Sequence, residues 1–77
     1  MNNIMIYAID DTIYIQSNEM MQNVQVELSD ENGNIKKAIH IDKSCYERIN
    51  TNTPSGKFKV KIRDAKQVIE KQIIINK

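Results

Sequence analysis

Seventy-seven residues with a net charge of +1 make a single domain and give no global pull toward nucleic acid or an anionic membrane. Apolar residues are 40% and charged residues 27% of the chain; that balance excludes disorder, and no apolar run reaches the ~18 residues of a membrane span. The one cysteine, Cys45, excludes an intramolecular disulfide and a multi-cysteine zinc site, so a chain that buries only about 60–65% of its unfolded surface depends on its apolar core.

That apolar set is rich in Ile and Val and poor in Leu and Ala. β-Branched side chains are stiff in helices and pack well on pleated surfaces. Residues 4–9 are the first predicted strand, and Asp10 and Asp11 turn the chain into a second at 12–16. Residues 18–22 leave room for one helical turn. The third strand, 23–29, alternates: Val24, Val26 and Leu28 face one way, Gln25 and Glu27 the other. Asn32 and Gly33 in the run DENGN supply the positive φ of a hairpin. The fourth strand, 35–41, sets Ile35, Ile39 and Ile41 on one parity with Lys37, opposite Ala38 and His40.

Residues 45–49 form the fifth strand, and TNTPSG at 51–56 is a loop whose proline cannot donate to a ladder. The sixth, 57–63, carries the cleanest period of two: Phe58, Val60 and Ile62 alternate with Lys57, Lys59, Lys61 and Arg63. DAKQ at 64–67 turns into the seventh, 68–75, whose register the pattern leaves open. Ile69, Ile73 and Ile75 share parity with Lys71 there, and Val68 and Ile74 with Glu70 and Gln72. Strand starts about 8–12 residues apart indicate a sandwich or small barrel.

The candidates for chemistry are weak. His40, Asp42 and Cys45 are suitable ligand types, but no second His completes a metal set, and no orienting group or oxyanion hole accompanies a Cys–His pair. The expected state is a surface His and a half-buried Cys. Asp10, Asp11, Asp30 and Glu31, with Asn32 and Asn34, suggest calcium, but Ile35, Lys36 and Lys37 follow where a closing carboxylate would be needed. Turn chemistry explains them better. The row Lys57, Lys59, Lys61, Arg63 either meets an anionic partner or serves as a solvated outer face offset by Glu47 or Glu70. No aromatic shares that face, so nucleic-acid stacking is not expected. Tyr7, Tyr14 and Tyr46 read as sheet-margin tyrosines with wet tips and not as a sugar platform.

Three segments carry a resemblance. VQVELSDENGNI (24–35) resembles the strand–hairpin–strand unit of type IX secretion C-terminal sorting domains. PSGKFKV (54–60) resembles their Pro-Ser-Gly-x-Tyr/Phe step into a strand, and the basic-apolar end at 70–77 resembles their last strand. Small secreted sandwich domains of the Bacteroidetes have similar spacing. The motifs lie between Val24 and Lys77, and the first two strands fit only in order and spacing.

The combined expectation is a seven-stranded antiparallel immunoglobulin-like β-sandwich spanning residues 1–77. The resemblance implies a non-catalytic terminal module of a longer exported protein, with a signal peptide upstream of this chain. Such a module passes through the periplasm to the outer surface and is read as a folded domain by a protein of the secretion or surface-assembly machinery. The alternative is a small secreted adhesion or assembly module that binds protein or glycan through a sheet face or edge. No cofactor, metal, nucleic acid or membrane insertion is expected, and the isolated domain is expected to be a monomer. The residues assigned to the partner are Lys57, Lys59, Lys61, Arg63, Ile73, Ile74, Ile75 and Lys77.

Overall fold

The computed structural model describes residues 3–76. The domain is all-β: β1 (Ile4–Ile9), β2 (Thr12–Asp30), β3 (Ile35–Asn50), β4 (Gly56–Arg63) and β5 (Val68–Ile75), every pairing antiparallel. Central in the sheet, β2 carries β3 along one edge, from Thr12↔Asn50 to Ser29↔Ile35. Its other edge carries β1 at residues 12–17 and β4 at residues 25–30, and β5 pairs with β4.

Two strands on one edge of β2 require that strand to bend between them. Gln16 faces Tyr46 and Met21 faces Ser44, so residues 17–20 of β2 bulge out opposite Cys45. A bulge bends and twists a strand without ending it. Asn23 then adopts φ 51, a left-handed conformation that Asn tolerates better than most residues. Around it the buried row passes from odd positions (Ile13, Ile15, Met21) to even ones (Val24, Val26, Leu28). The sheet folds over on itself as a curled half-barrel. The Lys37 ammonium donates to the Asn50 carbonyl at 2.6 Å, although thirteen extended residues would span about 43 Å.

The expected seven strands are therefore five. Predicted segments 12–16 and 23–29 are the two halves of β2, and 35–41 and 45–49 those of β3. The two layers of the expected sandwich are arms of one continuous sheet, because bulges and not turns separate the halves.

The arms enclose Ile6, Ile13, Ile15, Met21, Val24, Val26, Leu28, Ile41, Ile49, Phe58, Val60, Ile62, Ile73 and Ile75. Each such side chain contributes about 1.5–3 kcal/mol on full burial. Phe58, Val60 and Ile62 face inward as their alternation predicts. The open register of the last strand is fixed by Phe58↔Ile73 and Gly56↔Ile75, which turn Ile73 and Ile75 into the core.

At the rim, the Thr51 hydroxyl donates to the Asp11 carbonyl at 2.9 Å and lies 3.0 Å from the Thr53 hydroxyl. These buried polar groups tie the β3–β4 loop to the β1–β2 turn. The Asn76 N–H reaches the Asp10 carbonyl at 3.3 Å and holds the end of β5 beside the same turn.

Candidate functional site

The β4 row projects from the arm formed by β3, β2, β4 and β5. Lys57, Lys59 and Arg63 are exposed and Lys61 half-buried, all opposite in direction to the Phe58 row. Glu70 sits on the neighbouring strand directly across from Lys61, and its two carboxylate oxygens lie 3.6 Å from Lys59 and 3.7 Å from Lys61. Glu27 of β2 faces Lys61 from the other side. Glu47 plays no part; it faces Ile15 on the other arm. Solvent screening keeps the two ion pairs weak. They share the single Glu70 carboxylate between the two central lysines, offset the middle of the row in part, and leave its ends, Lys57 and Arg63, without an ion pair among the described residues.

Those ends face apolar neighbours. Lys57 lies opposite Ile74 and Arg63 opposite Val68, which are 64% and 53% exposed. The outer face of β4 and β5 is thus a basic–apolar strip. Of the terminal residues assigned to a partner, Ile74 belongs to this strip. Ile73 and Ile75 do not, because they are 6% and 1% exposed and pack in the core. Lys77 lies outside the described residues.

A second surface lies on the other arm. The two-residue turn at Asp10 and Asp11 sets Tyr7 opposite Tyr14, and their rings stack with centroids 5.2 Å apart and planes 13° from parallel. Arg48 lies beside Tyr14 in register, and the next rung carries Met5, Gln16 and Tyr46. Met5, Ile9 and Tyr46 are 56%, 57% and 47% exposed. The tyrosines therefore share one outward sheet face, with Tyr7 and Tyr46 on the edge strands β1 and β3. The signal was countable, since a two-residue turn pairs residues equidistant from it.

The remaining candidates resolve simply. His40 Nε2 and Asp42 Oδ1 are 3.1 Å apart, both side chains exposed. Cys45 is exposed, not half-buried, and lies where the β2 bulge interrupts the ladder. Among the described residues no three His, Cys, Asp or Glu side chains group to hold a metal. Asp30 is committed to its own hairpin. Its Oδ1 accepts the N–H groups of Asn32 and Asn34, both at 2.9 Å, and its Oδ2 accepts from the Asn34 amide at 3.3 Å with Lys36 at 3.6 Å. These donors, the Asn34 N–H foremost, hold its carboxyl below the ordinary 3.8. Asp64 is held below the same value, first by the Lys66 N–H and then by that of Gln67.

Comparison of the chain with protein-family models, with curated proteins and with solved structures found no match in any of the three.

Proposed function

We propose that this domain is a non-catalytic terminal module of an exported protein, read as a folded unit by a protein of an outer-membrane secretion machinery. The observation that carries the reading is the outer strip of β4 and β5. There the two unneutralised cations, Lys57 and Arg63, stand beside exposed Ile74 and Val68. Exposed apolar side chains rimmed by charge suit a protein partner. The resemblance to type IX sorting domains agrees, since GKFKV of the Pro-Ser-Gly step lies in β4 and residues 70–75 of the basic-apolar end lie in β5, the two strands of the strip. Fusion of the domain behind a signal peptide and a reporter tests it in a host with a type IX system. The reporter is expected at the cell surface; retention in the periplasm, in a host that exports its own sorting domains, contradicts the reading.

A second reading, an adhesion or assembly module, is favoured by the stacked Tyr7–Tyr14 pair with Met5, Ile9 and Tyr46 around it. Stacked rings on an open sheet face bind protein or sugar through area and edge hydrogen bonds. Under this reading Tyr7→Ser with Tyr14→Ser abolishes capture of surface glycans or neighbouring exported proteins and leaves export unchanged.

A further inference from the structure

The edge of β3 that faces away from β2 has no partner strand among the described residues. It is sixteen residues long. Unpaired edges of that length are templates for another strand, and proteins commonly blunt them. Here Lys37 blunts one end, its ammonium held on the Asn50 carbonyl. The middle, DKSCYER at 42–48, is exposed or half-exposed throughout.

That middle segment is complementary to itself. Laid antiparallel against a second copy with Cys45 opposite Cys45, it sets Asp42 opposite Arg48, Lys43 opposite Glu47 and Ser44 opposite Tyr46. Two-fold symmetry repeats each pair, so every charge in the segment meets its opposite. Directly opposed residues of an antiparallel pair share a face, where opposite charges attract and like charges repel. A register offset by one residue turns the charges to opposite faces and loses the match. Within its own chain the segment spends little of this charge. Lys43 faces Gln22, Glu47 faces Ile15 and Arg48 faces Tyr14, and Asp42 meets only exposed His40.

The Ser44 hydroxyl donates to the Tyr46 carbonyl at 2.7 Å and accepts the Tyr46 N–H at 3.1 Å; this local pair blunts the edge at Tyr46 and opens when a partner strand takes those two groups. A net charge of +1 adds little repulsion between copies.

We propose that the β3 edge, residues 42–48, pairs with the same edge of a second copy to form a two-fold symmetric dimer with Cys45 against Cys45. The interface is isologous and departs from the monomer expected from the sequence. It does not depend on the secretion reading, because it uses neither the β4–β5 strip nor the Tyr7–Tyr14 pair.

Charge exchange on the whole chain tests it by sedimentation equilibrium. Lys43→Glu places four glutamates across the axis, and Glu47→Lys four lysines. Each variant alone is expected to self-associate at least roughly tenfold more weakly than the parent. Mixed together, the two recover dimerisation as a heterodimer, and the double variant recovers it as a homodimer. Circular dichroism confirms that each folds. Oxidised glutathione reads the register: two Cys45 thiols lose two protons and two electrons to its disulfide, giving a cross-linked dimer and two reduced glutathiones. Cross-linking is expected to be fast for the parent and the double variant and slow for either single variant. A parent monomeric at millimolar concentration overturns the proposal. So does a parent dimer that both single variants leave intact, or single variants that fail to recover on mixing.

Discussion

Phe58 is 6% exposed and packs between the two arms, while Lys59 beside it points outward to Glu70. Period-two geometry imposes that contrast, and stability should follow it. Phe58→Ala removes buried area and leaves a cavity, at a cost of about 3–5 kcal/mol. Lys59→Ala is expected to stay within about 0.5 kcal/mol. Urea denaturation of the two variants checks the register of β4, and equal losses would contradict it. Asp30 and Asp64 give the residue scale a pH dependence. Folding lowers both carboxyl pKa values below 3.8, so the folded state favours their ionised forms. Their contribution is present above the unfolded value and is lost as pH falls through the folded one. Stability should therefore decline below about pH 4. The decline should flatten in the variant carrying Asp30→Ala and Asp64→Ala, as thermal melts between pH 2 and 5 would show.

At the scale of the element, the bend in β2 decides the fold. Ile13 and Ile15 belong to one buried parity and Val24, Val26 and Leu28 to the other. Asn23 in its left-handed conformation makes the exchange. A β-branched residue is strained there, so Asn23→Val should cost about 1–2 kcal/mol, whereas Asn23→Gly should be nearly neutral. Gly33, at φ 86, holds the DENGN hairpin in the same region. Gly56, at φ 158, opens β4 in a positive-φ conformation that L side chains rarely adopt, although an added Cβ would meet only Phe58 Cε2, at 3.6 Å. Gly33→Val and Gly56→Val should therefore each lower the melting temperature.

The same bend explains what the sequence made legible. Strands β1 and β5 and nearly all of β4 were readable, because Asp10–Asp11, the 51–55 loop and the 64–67 turn end them with clear turn chemistry. The continuity of β2 and β3 was not. SNEMMQ at 17–22 lacks apolar alternation, since the bulge turns residues 18–20 outward and brings only Met21 back to the core, so a strand that bends resembles two strands and a loop. The basic row was legible from alternation alone. Its neutralisation was half legible: Glu70 was foreseen, but Glu27 depends on the pairing of β2 with β4, between which all of β3 intervenes in sequence.

Across the whole molecule, β5 both completes the core and supplies half of the proposed recognition strip. Ile73 and Ile75 close the inner face while Ile74 between them is exposed. Deleting the chain end would remove core and surface together, so loss of export in a deletion would not distinguish recognition from unfolding. Point changes separate the two. Ile73→Asp buries a charge and should unfold the domain. Ile74→Asp with Lys57→Glu alters only exposed positions and should shift stability by no more than about 1 kcal/mol. The most direct test of the account is surface delivery of a reporter carrying this second variant, compared with the parent domain in a type IX host. The account predicts that the parent reaches the surface while the variant, with an unchanged melting temperature, stays in the periplasm; equal delivery of the two, or periplasmic retention of the folded parent, would contradict it.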